Sequence, residues 1–531
     1  MISSRMLIPV LTFLLLAPDS QLLSQGQPDW INGFPDGCTS ITAGRLATAD
    51  GSVITSHTDD SHRTRSSVNV VPPADYARGS FTEVYRRVSD DTKAMPSYAF
   101  VRTGEIPQVS HTYGYINSAY PCMNGHQVGV GESTFGGRPE LRSEAGLIDC
   151  QGLIRLILER CKSVHEALQL TRSLLKQYGW NDSGECLTLS DKNEVWHLEV
   201  LGPGKGEIGA VWVAQRVPDE HIAVNANAST IKEVDLKDGN HFQASDNLFE
   251  VALKNGWWTE GEIFRFNYVY APESRTSIAA RRREWRVFDL LAPSLKLDPY
   301  AENYPFSVKP DKPVTLTALI KVFKDYYEGT DFNFIKDITV TDDQGKTVIS
   351  PLANPFMPYD MNKVFRINGG WGSLGERTIA RWYTMYATII QSRSWLPDEI
   401  GGLVWFALDN VATSVYIPIY CSVNDLPQSY KVDGRITGFS NESAWWAFNR
   451  LGTLTAQRWG DMRKDVENVW NPLQEEIFTT TRAKEQQVLG ISSTAERKSV
   501  LTEHSINWGE VVVKKAWKLG DFLWTKYDEL F

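Results

Sequence analysis

Cys38 stands where a nucleophile could acquire its own base. It follows Asp36-Gly37 at the end of a short polar stretch and opens the first strand-like run, so cleavage ahead of it would expose a thiol and an α-amine on one residue. An α-amine has a reference pKa of about 7.7–8.0 and can take up the thiol proton, which an amide nitrogen inside the chain cannot do. The competing reading is a disulfide or a buried thiol, the usual state of a cysteine in an exported protein. The six cysteines, Cys38, Cys122, Cys150, Cys161, Cys186 and Cys421, are even in number but contain no CxxC pair, which argues against a zinc ribbon or a thioredoxin-like motif.

Charged candidates lie further on. Glu132 and Arg138 flank the turn Ser133-Thr134-Phe135-Gly136-Gly137, where a carboxylate suits the free amino end of a short peptide and a guanidinium its carboxylate. An ordinary loop ion pair is the alternative. The sequence has no HExxH, Walker loop or GxSxG elbow, and its nine histidines show no metal-ligand spacing, so no metal and no cofactor are expected. Gly370-Trp371-Gly372-Ser373-Leu374-Gly375 matches GxGxxG, but outside any βαβ pattern.

Local elements must position Cys38. Residues 39–44 and 53–57 read as two strands joined by the turn-rich Ala49-Asp50-Gly51-Ser52, a hairpin whose register places Cys38 opposite Asp59 with Asp60 adjacent. Short strands are predicted over 111–132, 184–200 and 207–225, and helical periodicity over 147–178, 281–291 and 315–327. From Glu442 onward the pattern is helical with no strand signal, giving a mixed α+β chain with a soft break near 433–440.

Arg5 followed by an apolar run from Met6 to Ala17 is of signal-peptide length and too short to span a bilayer. Residues 1–26 are expected to be a signal peptide and 27–37 a propeptide, with export to a periplasm or the medium and no stable membrane span after cleavage. The 531 residues, 42% hydrophobic, suffice for a sizeable core. A net charge of -10 leaves no basic footprint for nucleic acid.

Asp36-Gly37-Cys38-Thr39-Ser40-Ile41, Ala49-Asp50-Gly51-Ser52 and Ser56-His57-Thr58-Asp59-Asp60 resemble the opening of the dipeptidase A and secernin family of N-terminal-nucleophile peptidases. The similarity continues through 131–138, 281–294, 327–330, 391–420 and 442–448. It implies a four-layer αββα sandwich over residues 38–435 with a helical segment, 436–531, packed on it. It also implies hydrolysis of dipeptides or short peptides through an acyl-enzyme on Cys38, without a cofactor. A small peptide is then the substrate, and self-association into a homo-oligomer is compatible with it. Carried over position by position, Cys38 is the nucleophile, Asp60 (with Asp59 as rival) the acid that holds it, and Asn227 the oxyanion donor. Arg282, within Arg281-Arg282-Arg283, is the arginine near the thiol. In the wider group related to penicillin V acylase and bile-salt hydrolase, Arg often stands where this chain has His57. An acylase of linear N-acyl amides, or a secreted binding protein without catalysis, are the alternative functions.

Overall fold

The computed structural model describes residues 37–61, 64–90, 97–356 and 376–530. The expected signal peptide, nearly all of the expected propeptide and the Gly370–Gly375 motif lie outside the described residues.

The strands that build the two main sheets, and the hairpin that stands beside them, follow in chain order. They are β1 (Gly37–Ala43), β2 (Val53–Asp60), β3 (Asn69–Val71), β4 (Phe81–Asp90), β5 (Ser97–Pro107), β6 (Tyr115–Asn117), β7 (Met123–Asn124) and β8 (Gly129–Phe135). After two helices come β9 (Gly184–Ser190), β10 (Val195–Leu201), β11 (Val211–Arg216), β12 (Ile222–Asn225) and β13 (Phe242–Ala244), then β14 (Ser307–Val308), β15 (Thr384–Ser392), β16 (Leu403–Leu408) and β17 (Ile417–Tyr420). A seven-stranded antiparallel sheet has the order β14-β12-β1-β2-β15-β16-β17. An eight-stranded one has the order β13-β11-β10-β9-β8-β7-β6-β3, while β4 and β5 pair only with each other.

The first hairpin forms as its sequence dictates. Asp50 accepts hydrogen bonds from Ser52 N (3.1 Å) and Ser52 Oγ (2.6 Å), and Gly51 supplies the left-handed backbone at φ 83°. This turn fixes the register, Cys38 opposite Asp59, Thr39 opposite Thr58 and Ala43 opposite Ile54, as expected. Along β1 the residues alternate. Ile41 and Ala43 enter an apolar cluster with α3 (Ile278–Leu291 in this numbering), whereas Ser40 and Thr42 reach across to the second sheet.

The two sheets meet through an apolar contact of Val53 and Ala223 with Val195 and, toward Cys38, through polar and very small groups. Ser40 Oγ donates to Glu132 O (2.8 Å), Thr42 Oγ1 lies 2.9 Å from His197 Nε2, and Thr55 Oγ1 lies 2.6 Å from Thr188 Oγ1. Gly131 permits this approach: a Cβ there would lie 2.3 Å from Ser56 O.

Away from that contact the packing is apolar. The helical stretch expected over 147–178 is two helices, α1 (Cys150–Arg160) and α2 (Val164–Tyr178), separated at Cys161–Ser163 because Ser163 caps the second by accepting from Glu166 N. Their Leu153, Ile157, Leu168 and Leu175 pack with Leu187, Leu198 and Trp212 of the eight-stranded sheet. The seven-stranded sheet is covered by α3, by α4 (Leu316–Phe323), and by α5 (Ala444–Gln457), α6 (Trp459–Leu489) and α7 (Thr494–Lys526). Trp445, Leu451, Trp470 and Ile477 from this tail share one core with Phe406, Ile417 and Ile419. Arg393 and Glu485, both buried and bonded at 2.8 and 3.0 Å, tie α6 to β15. Among the described residues no helix is long and apolar enough to cross a membrane.

Candidate active site

Cys38 is the second residue of the central strand β1 and is 3% exposed. Its thiol donates to Glu132 Oε2 (3.2 Å), and the same oxygen lies 3.2 Å from Nε2 of His57, a β2 side chain set edge-on against Tyr120 and Tyr386. Thr134 Oγ1 donates to the other carboxylate oxygen of Glu132 (2.9 Å). Burial, and then the charges of Glu132, Asp59 and Asp60, push the Cys38 thiol well above its ordinary value. The thiol is therefore held as SH while its nitrogen is an amide.

Glu132 and Glu185 form a buried acidic pair. Burial opposes ionisation of Glu132, but contacts from His57, Glu185 and Cys38 outweigh it and bring the carboxyl down to about 2. Glu185 goes the other way, raised well above the usual carboxyl range by burial and by the Glu132 charge. The two acids are thus pushed apart, Glu132 toward its charged form and Glu185 toward its neutral one.

The backbone of Cys38 is clamped from the opposite side. Its N–H donates to Asn227 Oδ1 (3.0 Å), and Arg283 Nη1 donates to its carbonyl (2.7 Å) and to Thr39 Oγ1 (2.9 Å). Asn227 Oδ1 also accepts from Arg283 Nη2 (2.8 Å) and Arg377 Nη1 (2.7 Å), while its Nδ2 donates to Thr134 O (2.7 Å). Three donors on one oxygen fix the amide orientation. Asn227 takes φ 61°, a left-handed conformation that asparagine tolerates better than most residues. Arg377 Nη2 donates to the fully buried Asp60 (2.5 Å), which also accepts from Thr384 Oγ1 (2.6 Å). Gly37 leaves room for this guanidinium, since a Cβ there would lie 2.1 Å from Arg377 Nη1. Burial and the neighbouring Arg377 charge bring Arg283 down to about 9.

The predicted residues are only partly gathered. Cys38, Asp60, Glu132 and Asn227 converge, Asp60 through Arg377. Its rival Asp59 accepts from Thr64 Oγ1 (2.6 Å), and Asn225 closes a turn by donating to Ala228 O (2.7 Å).

The arginine at the nucleophile is Arg283, not Arg282. Successive helical residues point about 100° apart, so the neighbouring Arg282 leaves α3 toward Glu376 (2.8 Å) and over the Phe332 ring. Glu132 is not in an open substrate loop but fully buried on the thiol. Arg138 donates to Val269 O (2.6 Å) and stacks over Trp257. Arg377 and Glu185 were not foreseen. Arg377 belongs to no local pattern, whereas the strand alternation of 184–190 could have marked Glu185 as a buried acid.

Among the described residues two groups could offer ligands to a metal ion, Cys38-His57-Glu132 and Glu132-Cys150-Glu185, each with its donor atoms within 4.8 Å of one another. Both depend on Glu132, and the first would need the thiol that burial keeps protonated. All six cysteines are free and buried, so none of the thiols is tied up in a disulfide.

Comparison with known proteins agrees with a thiol-centred site. Probable dipeptidase B of Lactococcus lactis subsp. lactis (strain IL1403) is 24% identical over 407 residues, covering 74% of this chain and 76% of the relative. A probable dipeptidase of Latilactobacillus sakei is 21% identical over 88% of this chain and 92% of its own length, and dipeptidase A of Lactobacillus helveticus 21% over 79% and 81%. The sequence model of peptidase family C69 matches residues 37–472, from the start of β1 into α6, and on that match the chain belongs to peptidase family C69, a family of cysteine peptidases.

Proposed function

We propose that the protein is a dipeptidase that acts through an acyl-enzyme on Cys38, once residues 1–26 have been removed as a signal peptide and 27–37 as a propeptide during export. The observation that carries this reading is the double hold on Cys38: its nitrogen on Asn227 and its thiol on Glu132. Cleavage of the Gly37–Cys38 bond turns that nitrogen into an amine already seated beside the thiol. Arg283 and Arg377 flank the seat; an α-amine has a reference value of about 7.7–8.0, and positive neighbours favour its uncharged form, the one that can take the thiol proton. The names of the dipeptidase relatives supply the substrate class.

The amine takes the thiol proton and the sulfur attacks the scissile carbonyl. The carbon–nitrogen bond breaks as the ammonium returns the proton to the leaving amine. Water, deprotonated by the same amine, then hydrolyses the thioester and restores the thiol. One Asn227 Nδ2 hydrogen rests on Thr134 O, leaving the second to meet charge on the carbonyl oxygen. A four-layer αββα order over residues 38–435, with 436–531 packed on it, is supported by the facing sheets and by the helices on each.

The test is the N-terminal sequence and intact mass of the exported protein, with dipeptide hydrolysis measured for wild type and Cys38→Ser. A start at Cys38 and loss of hydrolysis in the variant are expected. An active protein that begins at Gln27 or earlier sinks the mechanism, and hydrolysis of N-acyl amides without dipeptides makes it an acylase.

A further inference from the structure

The hydrogen bond between Cys38 and Glu132 cannot outlast the reaction. Glu132 Oε2 accepts the thiol hydrogen at 3.2 Å, with His57 Nε2 3.2 Å from the same oxygen, while Thr134 Oγ1 donates to Oε1 (2.9 Å). The contacts with His57 and Thr134 involve no reacting atom. The thiol hydrogen, in contrast, passes to the Cys38 amine, and for as long as sulfur is bonded to the acyl carbon Oε2 is short of one donor. A buried charged acceptor that loses a donor is strongly disfavoured unless another takes its place.

Covalent geometry says which donor is at hand. A dipeptide has one peptide bond, so the carbonyl attacked belongs to its first residue, and the α-nitrogen of that residue lies two bonds from the carbonyl carbon, about 2.5 Å away. With sulfur about 3–3.5 Å from that carbon before attack, the nitrogen is within about 6 Å of the sulfur, and closer once the thioester forms. Glu132 Oε2, 3.2 Å from the sulfur, occupies the same shell. The charges around Cys38 are sorted to match. Arg283 and Arg377 meet at Asn227 Oδ1, on the side of the Cys38 nitrogen. Of the three acids whose charge reaches the thiol, Asp60 is bonded to Arg377 and Thr384, and Asp59 to Thr64. Glu132 is the one of the three hydrogen-bonded to the sulfur, and its neighbour Glu185 is held toward the neutral form, which leaves the negative charge on Glu132.

We propose that Glu132 recognises the free α-ammonium of the residue whose carbonyl Cys38 attacks, its Oε2 exchanging the thiol hydrogen for an ammonium hydrogen as the acyl-enzyme forms. The site then measures a peptide from its amino end: a first residue that is acylated, or preceded by another residue, brings an uncharged amide to the carboxylate. This rests on the dipeptidase reading and adds which end of the substrate is recognised and by which residue.

The experiment compares kcat/KM of mature wild type, Glu132→Gln and Glu132→Asp on two matched substrates. These are the best-cleaved dipeptide of an alanyl, leucyl and methionyl set and its des-amino analogue, in which hydrogen replaces the ammonium group. The expected result is a fall of at least about tenfold in the ratio of dipeptide to analogue for Glu132→Gln, with a smaller fall for Glu132→Asp, which keeps the charge but withdraws it. An unchanged ratio in both variants overturns the proposal, even where both substrates slow equally, because Glu132 would then only position the thiol. Each reading is a ratio within one variant, so partial misfolding does not imitate it. Wild type alone gives a second reading: the same ratio should fall as pH rises through the α-amine of the substrate, about 7.7–8.0, and a ratio flat across that range overturns the proposal without any variant. If wild type cleaves no dipeptide of the set, the dipeptidase reading itself fails, a result distinct from an unchanged ratio.

Discussion

The layer between the two sheets and the core under the C-terminal helices are both buried, yet they are built from opposite materials. Between the sheets Ser40, Thr42, Thr55 and Thr188 meet through hydrogen bonds, and the same layer ends at Cys38, Glu132, Asn227 and Arg283. Under the helices Trp445, Leu451, Trp470 and Ile477 meet Phe406 and Ile417 through apolar contact. Apolar contact rewards proximity and filled volume with little regard to direction. Hydrogen bonds and ion pairs demand direction as well. The apolar core can hold the sheet in place, but only the polar layer can aim a thiol.

The sharpest break of that contrast is expected in stability. Trp445→Ala empties a site 1% exposed and should cost about 3–5 kcal/mol in chemical denaturation, with little change in turnover per folded molecule. A large fall in turnover at full folding would show that the two regions do not divide the work in this way.

Arg283→Ala comes next. It removes the donors to Cys38 O, Thr39, Ala226 O and Asn227, so turnover should drop about a hundredfold, whereas Arg282→Ala, which loses Glu376 instead, should cost far less. Equal losses in the pair of variants would remove the distinction drawn between neighbouring arginines.

A smaller effect separates the two glutamates. Glu185, raised, keeps in the folded protein a proton that it loses in the unfolded chain near 4.5, so its contribution is full below that pH and declines as pH rises toward the raised value. The slope is at most about 1.4 kcal/mol per pH unit. Glu132, lowered to about 2, contributes fully above 4.5 and loses its contribution as pH falls toward 2. Glu185→Gln keeps a donor for Glu132 without a titrating proton, so denaturation midpoints from pH 5 to 8 should flatten; an unaltered slope places the titrating proton elsewhere. The smallest effect expected is none: dialysis against a strong chelator leaves dipeptide hydrolysis unchanged if, as proposed, the thiol and its amine supply nucleophile and base. Loss restored by zinc would assign the Cys38-His57-Glu132 group to a metal.

What the sequence disclosed follows from how locally each feature is determined. The Asp50-Gly51-Ser52 turn fixes the first hairpin by bonds within three residues, so the pairing of Cys38 with Asp59 was legible. The helical tail was legible from its period. Choosing among Arg281, Arg282 and Arg283 requires knowing which side of α3 meets β1, and that is decided by packing. Arg377 reaches Asp60 and Asn227 across 317 and 150 residues of chain, a distance over which no spacing rule operates. Glu132 and Arg138 were legible as charged residues beside a glycine-rich turn, but not as one buried acid and one guanidinium resting on tryptophan.

The close approach at Gly131 makes the gap between the sheets a gauge. Glu132 is the next residue along β8 and its partner thiol is carried by β1 in the other sheet, so any side chain added at Gly131 acts as a shim. Its thickness would be read out two strands away as a longer sulfur–carboxylate distance. The sulfur–carboxylate contact in this protein is thereby coupled to a spacing that no charged or nucleophilic residue sets.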